Sequence, residues 1–553
     1  MCAQAIPAIT QSGQPILILR EGTAQTKGKD AQKNNITAAK LVAEVVRSSL
    51  GPRGMDKMLV DGLGDVTITS DGATILKEID IQHPSAKMMV EIAKTTDNEV
   101  GDGTTSSVVL AGGLLERALE LIEKEVHPTT IVHGYRSAAE QALKILEKIA
   151  VKIPPDDKEW LIRIAKTSME TKMVSNESPI LAEIIVDALL QVSEKVNDTY
   201  KVDIDDVKVE KKPGTSLGET SLIKGVVIDK EVVHAGMPKK INNAKIVLIN
   251  APLEVEKTEF DAKININNPE QIKMFLDEEN RMLKDMVDKI SEVGANIVVC
   301  QKGIDDIAQH YLAKTNMMAV RRVKQSDMDK LAKATGGRVI TTLEDMSESD
   351  LGFAELVEER KIEEDKWVFI EGCKNPKAVT ILIRGGTQRI VDEAERSMHD
   401  AICVTRDVMQ KPAIVAGGGA PEAQIAHELQ EWSHTLTGRE QLAVQKFAES
   451  IEVIPLTLAE NAGLDLIDTL VELRSKHGQG QIWAGIGIKD GGIIDTYEAG
   501  VYEPVVVKEQ IIKSATEAAC MILRIDDVIA ASKMREPSRP PGGMPGGMPE
   551  EYD

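Results

Sequence analysis

The stretch from Thr95 to Leu119, TTDNEVGDGTTSSVVLAGGLLERAL, allows few folds, because an acidic, glycine-punctuated loop runs directly into a long helix with an apolar stripe. Gly101 and Gly103 let the backbone turn sharply and approach a ligand closely, since neither carries a Cβ. Thr104, Thr105, Ser106 and Ser107 then offer hydroxyls and free amides at the positive end of the helix, which suits phosphate. Asp102 would repel a bare phosphate. Its presence points to Mg2+ between protein and nucleotide, because that ion takes carboxylate, water and phosphate oxygens together. An ordinary N-cap cluster accounts for the same residues without a ligand, and on either reading Val108, Ala111, Leu115, Ala118 and Ile122 pack inward.

At 553 residues the chain has room for roughly three or four domains of about 150 residues each. Lys and Arg total 66 against 88 Asp and Glu, a net charge of −22, and no long basic run or basic–aromatic interleaving occurs. That balance argues against nucleic acid as a partner. Five cysteines stand singly at Cys2, Cys300, Cys373, Cys403 and Cys520, with no CxxC, and no secretory leader pattern opens the chain. A reducing cytoplasm is the compartment this implies. No window approaches the 18 or more apolar residues that cross a bilayer, so no membrane partner is expected. Aromatic residues make up only 3%, which leaves Ile, Val, Leu, Ala and Met to build the core.

Apolar spacing predicts a helix over 35–50, from an Asn34–Asn35 cap to a hard stop at Gly51-Pro52-Arg53-Gly54. Val66 and Ile68 then alternate with threonines into Ser70-Asp71-Gly72, which reads as a hairpin turn returning through Ala73–Leu76. Text to about residue 200 is mostly helical, with a plausible boundary at Ile153-Pro154-Pro155-Asp156. In the middle third, short β-branched runs alternate with helical periodicity: strands near 246–249, 297–300, 319–323, 338–341 and 378–383, and helices over 269–293, 304–314 and 326–335. That is α/β wiring. Beyond Gly417-Gly418-Gly419 the pattern is helical again, then a glycine-rich β-like patch spans 484–507 and a last helix 508–531. The tail RPPGGMPGGMPEEYD cannot bury a core.

Several motifs carry less than their form suggests. No GxxxxGK[ST] is present, so a P-loop is ruled out. Gly214-Thr215-Ser216-Leu217-Gly218 matches GxSxG but lacks the strand and helix that frame a nucleophile elbow. The nine histidines show no HExxH, and His427 and His434 read as solvated. Asp400 lies off the stripe Val391, Ala394, Met398, Ile402 and Thr405, so periodicity alone makes it a solvated carboxylate. Asp71 needs no more than a turn to explain it.

Taken together, SSLGPRGMDKMLVD, ITSDGATIL, HPSAKMMVEIAK, EVGDGTTSSVVLAG, HDAICV, VAGGGAPE, LAENAGLD and MILRIDDVIA resemble the subunits of archaeal and eukaryotic cytosolic chaperonins, the thermosome family, over about residues 15 to 535. The repeated Gly-Gly-Met and the acidic end of the tail resemble the archaeal branch more closely. The resemblance implies a multi-domain chain. Residues 1–155 and 412–538 would form a mostly α-helical equatorial ATPase domain, 156–226 and 377–411 a small α/β intermediate domain, and 227–376 an α/β apical domain. A helical protrusion at about 256–280 would serve as a built-in lid, and 539–553 would be a disordered tail. ATP and Mg2+ are the cofactors it implies, and the partners are unfolded polypeptides and like or related subunits in a double ring.

Carried over residue by residue, the resemblance places Leu50, Gly51 and Pro52 along the phosphates and base, and gives Mg2+ to Asp102. Gly103, Thr104, Thr105 and Ser106 would bond the phosphates, while Asp71 and Asp400 would position and activate the attacking water. Lys172, in KTSMETK, would sense the γ-phosphate, and Gly417, Gly418, Ile493 and Asp495 would surround the adenosine. Ser70, Ser106, Leu456 and Met173 depart from the family's usual residues without removing a proposed catalytic carboxylate. An ATP-driven folding chamber is thus expected. A nucleotide-binding ring scaffold and a small-molecule phosphotransferase are the alternatives; a large α/β middle third far from the nucleotide motifs favours polypeptide capture over the phosphotransferase, and retention of Asp71, Asp102 and Asp400 argues against a scaffold that does not turn over.

Overall fold

The computed structural model describes residues 24–530 apart from 198, 256–268, 374–375 and 489–490, together with the short strands Pro7–Ile9 and Pro15–Leu17. The polar stretch expected to lead the protrusion and the tail 539–553 lie outside the described residues.

With so few aromatic side chains, the first core is organised on a helix that is apolar nearly all round. Thr104–Glu123 buries Val108, Leu110, Ala111, Leu114, Leu115, Ala118, Leu121 and Ile122, a wider face than a surface helix needs. Around it pack Gly28–Arg47, Pro84–Val100, Arg439–Ile451 and Val505–Leu523. Close approach depends on Gly112 and Gly113: a Cβ on the first would collide with Ala43, and one on the second would stand 3.3 Å from Val453 Cγ1. Tyr135 of Pro128–Ile149 meets Phe447 edge to face with ring centroids 5.6 Å apart, and its hydroxyl donates to Leu114 O (2.9 Å).

The same apolar cluster runs without a break past Pro154 and Pro155 into helices Lys158–Glu170, Ser178–Val192 and Gln388–Gln410. Those helices flank a three-stranded sheet in which Val379–Gly385 lies parallel to Val207–Pro213 and antiparallel to Ser221–Ile223. A second, separate core fills residues 226–378. Its mixed sheet is ordered Gly225–Ile228, Asp365–Glu371, Gly352–Ile362, Lys240–Ile249, Ile297–Cys300, Met318–Val320, with Val339–Ile340 also on Lys240–Ile249. Pairing is parallel from Lys240–Ile249 to Met318–Val320, where helices Pro269–Glu292, Asp306–Lys314 and Gln325–Thr335 make the connections. Ile223, Val227, Ile362, Trp367, Phe369 and Leu382 form a small cluster joining the two bodies.

Local expectations needed correction at several points. The first helix is Gly28–Arg47, so Asn35 is buried inside it rather than capping it. The hairpin lies upstream, between Lys57–Val60 and Val66–Thr69, and Ala73–Leu76 are helical. An Asp-Gly pair serves a helix N-cap as well as a turn, and here the cap prevails. The last long helix is Val505–Leu523; the chain then pairs Asp527–Ala530 antiparallel with Ala24–Lys27. Ser216 is exposed ahead of the single-turn helix Leu217–Glu219, which is no nucleophile elbow. His477 is buried, its ring against Gln424 Oε1 (2.7 Å) and Ala484 O (2.9 Å).

Candidate nucleotide site

Helix Pro84–Val100 ends at Gly101 in the left-handed conformation (φ 68°), whose amide donates to Asp97 O at 2.9 Å. Two residues on, Gly103 (φ 77°) is the N-cap of Thr104–Glu123 and has no side chain to accept from the first-turn amides. Those amides, with the Thr104, Thr105 and Ser106 hydroxyls beside them, make a positive end for an anion. A side chain on Gly101 would collide with Cys403, because helix Gln388–Gln410 is pressed against the loop there.

A second loop meets the first from the side. A Cβ on Gly72 would lie 2.6 Å from Thr105 Oγ1, and Asp71 just before it caps helix Gly72–Glu78 through the amides of Ala73 (3.3 Å) and Thr74 (2.8 Å). Thr104 Oγ1 also donates to Asp71 Oδ1 at 3.1 Å, which ties the two loops together. Asp102 accepts from its own loop at Gly103 N (2.6 Å) and from Ser168 Oγ (2.9 Å).

Asp400 corrects the expectation of a solvated carboxylate, since it is buried and its Oδ2 pairs with Lys172 Nζ. Stripe arithmetic sees only one interface, whereas this helix is packed on two. Burial holds the Asp400 carboxyl well above the usual carboxylate range; Lys172 opposes this, and the neighbouring Asp71 and Asp102 add to it. Burial alone would lower Lys172, but Asp400, Asp102 and Asp71 outweigh it and keep the ammonium protonated. Asp97, which sequence reasoning missed, is raised by burial and by Asp71 and so belongs to the same acidic group.

The remaining expected residues gather beside this group, with two exceptions. Strand Ala413–Ala416 leads into Gly417 and Gly418 (φ 67°), where Thr496 Oγ1 donates to Gly417 O (3.0 Å) and Ile486 N to Gly418 O (2.9 Å). Ile493, opposite Ile486 in the hairpin Ala484–Gly487/Gly492–Asp495, is buried with Ala423, Leu458, Ala484 and Ile486, and Leu50 packs on that cluster. Gly51 (φ 83°) touches Leu458, and Asn461 Nδ2 donates to Leu50 O at 2.8 Å. Pro52 is exposed beyond them. Asp495 is exposed too, its Oδ1 accepting from the amides of Tyr497 and Glu498 in a local turn. The carboxylate that stands at Gly417 is instead Glu503, whose Oε1 lies 2.6 Å from where a Cβ on Gly417 would be. Burial raises Glu503, Lys508 opposes that at 2.6 Å, and Glu422 and Asp102 add to it. No local pattern announces Glu503, because Gly417, Glu422 and Asp102, which it neighbours, lie far away in sequence.

A family model described as the TCP-1/cpn60 chaperonin family matches residues 42–533. The thermosome subunit of Methanopyrus kandleri is 58% identical over 522 residues, which cover 94% of this chain and 96% of the relative. Thermosome subunit alpha of Archaeoglobus fulgidus is 56% identical over 533 residues, 96% of this chain and 98% of its own. Thermosome subunit beta of Thermococcus kodakarensis is 58% identical over 525 residues, 95% and 96%. The chain belongs to the TCP-1/cpn60 chaperonin family. An ATP-dependent chaperonin function of the thermosome type goes with that membership, and neither the phosphotransferase nor the ring-scaffold alternative is favoured. Multi-domain construction, with helical and sheet-rich parts, and oligomeric rings belong to the family as well.

The residues present suit a chaperonin's nucleotide with its cation. Among the described residues, no group of three His, Cys, Asp or Glu side chains forms a closed metal site. Mg2+ is commonly held by one or two carboxylates with water and phosphate completing its shell, and Asp102 stands as such a carboxylate at the helix end. Asp71, Asp102 and Asp400 face a single ammonium, Lys172, so a nucleotide's phosphates need a cation to enter without repulsion. No helix among the described residues is long and apolar enough to cross a membrane.

Proposed function

We propose that this chain binds Mg2+-ATP at the N-terminus of Thr104–Glu123, hydrolyses it, and uses the cycle to close a ring of like or related subunits around unfolded polypeptide. The observation that carries the reading is convergence. Asp71, Asp102, Lys172 and Asp400 come from four separate elements and meet at one helix end that lacks a side-chain cap. Asp102 would hold Mg2+, which supplies neutralisation of phosphate charge. Gly103, Thr104, Thr105 and Ser106 bond the phosphates through amides and hydroxyls, and Asp71 orients the attacking water. Asp400, held above the usual carboxylate range, accepts the water's proton once Lys172 turns to the γ-phosphate. Leu50, Gly51, Pro52, Gly417, Gly418, Ile493 and Asp495 line the adenosine side, with the Glu503 carboxylate beside Gly417.

On this reading, 1–155 and 412–538 form the equatorial ATPase domain, 156–226 and 377–411 the intermediate domain, and 227–376 the apical domain. The lid is the segment 256–280, whose second half opens helix Pro269–Glu292 with Met274, Phe275 and Leu276 exposed to meet apolar segments of clients. A cytoplasmic location rests on the unpaired cysteines, of which Cys300, Cys373, Cys403 and Cys520 are buried thiols. Titrating ATP binding against Mg2+ tests the site. Asp102→Ala should raise the Mg2+ requirement by about tenfold or more; an unchanged requirement would refute the assignment.

A further inference from the structure

Ser168 is buried near the end of helix Lys158–Glu170, and its hydroxyl donates to Asp102 Oδ2 at 2.9 Å across 66 residues of sequence. The neighbouring Thr167 shows the ordinary alternative, donating back to Arg163 O four residues earlier at 2.9 Å. Ser168 instead reaches out of its own helix. The other carboxylate oxygen, Oδ1, accepts from Gly103 N at 2.6 Å. An ionised carboxylate has about four lone-pair positions, so these two donors do not exhaust its capacity to hold a cation. Without Ser168 the side chain would have little to fix its rotation, since both sequence neighbours are glycines.

We propose that Ser168 is a positioning residue for Asp102, fixing the carboxylate plane that receives the divalent cation. The inference rests on the reading of Asp102 as metal ligand. One turn further along the chain Lys172 pairs with Asp400, so a single short segment orients the metal carboxylate with one side chain and the water-activating carboxylate with another. Metal capture and placement of Lys172 are thereby linked through one helix end.

The test uses the full-length assembled protein, Mn2+ as a paramagnetic probe and ADP as nucleotide, so that the readout is metal binding and not turnover. Ser168→Ala should weaken Mn2+ binding in the presence of ADP by about tenfold or more, while metal-free ADP binding stays within twofold. Ser168→Thr, which keeps the hydroxyl, should restore Mn2+ affinity to within about threefold. If Ser168→Ala does not assemble, Ser168→Cys replaces it, because a thiol is a weak donor of similar size. Asp102→Ala is measured alongside. Should Asp102→Ala lose Mn2+ affinity while the Ser168 variants stay within twofold of wild type, the positioning role is overturned and the metal site stands. Should Asp102→Ala itself keep full affinity, the underlying reading falls and the positioning role with it. A merely structural serine would lower the melting temperature and leave the Mn2+ titration unmoved, which also overturns the proposal.

Discussion

Asp400→Asn separates proton acceptance from everything else this side chain does. Asparagine keeps the volume and one carbonyl oxygen toward Lys172, but it cannot take a proton from water. A positioned general base is worth about 10²–10⁴ in rate, so turnover should fall by that factor, equivalent to roughly 3–5 kcal/mol on the barrier. Folding should not suffer comparably. The Asp400 side chain is only 12% exposed, and its charge is already disfavoured by burial and by Asp71 and Asp102, while Lys172 retains those two carboxylates as counter-charges. Phosphate release at saturating Mg2+-ATP, with ATP affinity measured by calorimetry, distinguishes the two effects. The pH profile adds a second readout. Because the Asp400 carboxyl lies above its ordinary value of about 3.9, wild-type turnover should decline on acidification sooner than an ordinary carboxylate would cause, and the residual activity of the variant should lack that limb. Retention of more than half of wild-type turnover, or an acid limb unchanged in the variant, would refute the role.

Two further outcomes follow from buried charge. Lys208 donates to Val227 O (2.7 Å), Asp327 Oδ1 (2.8 Å) and Glu210 Oε1 (2.9 Å), with the Lys208 and Asp327 side chains 7% and 4% exposed. Lys208→Met leaves Asp327 buried and unpaired at about 3–5 kcal/mol, so amide exchange in helix Gln325–Thr335 should accelerate roughly 10²–10⁴-fold, and Lys208→Met/Asp327→Leu should recover most of the protection; exchange within tenfold of wild type in the single variant would be inconsistent with this. Burial pushes the Asp407 carboxyl up to about 6 against the pull of Arg406, with Oδ2 buried and lacking a hydrogen-bond partner. A pKa raised on folding means stability is greatest below the unfolded value of about 3.9 and falls as pH rises through about 6. Asp407→Asn should therefore be more stable than wild type by about 1–3 kcal/mol at pH 8, the gap closing toward pH 4; thermal unfolding across that range checks the sign.

How much of this was visible in the chain depends on the range of the interaction. The GDGTT loop carries its conformation locally, because two glycines ahead of an apolar helix give the left-handed turn and the uncapped helix start within a few residues. Asp71 was legible as a loop acid but not as a cap, since Asp-Gly before Ala-Thr-Ile-Leu serves a turn or a helix start equally well until the hairpin upstream claims its own strands. Asp400 was illegible to periodicity. Its helix is buried on two faces, so the position that looks solvent-facing from one stripe is the one turned into the site. Glu503 and Ser168 escaped for a related reason: Gly417 and Asp102, which they face, are brought near by tertiary packing, and a lone Glu before Pro or a Ser within KTSMETK has no local signature. The resemblance named Asp400 and Lys172, which pair in the fold, and Asp495, which the fold leaves exposed in a local turn.

The geometry also connects the nucleotide to the second core by a short path. Helix Gln388–Gln410, which carries Asp400, follows directly on strand Val379–Gly385, and that strand pairs in parallel with Val207–Pro213, which carries Lys208. Lys208 in turn holds Asp327 of helix Gln325–Thr335, packed in the second core. From Asp400 to the sheet-rich body there are thus one helix, the bend Gly386-Thr387, two paired strands and one buried ion pair. Lys172, the group that answers to phosphate in the proposed function, pairs with Asp400 of that helix. On that reading a change of partner for Lys172 would act on Gln388–Gln410, which leads back through the parallel strands to Lys208. Packed elements of this kind have few alternative arrangements. The buried Lys208–Asp327 pair would then determine whether the second core follows the strands or slips against them.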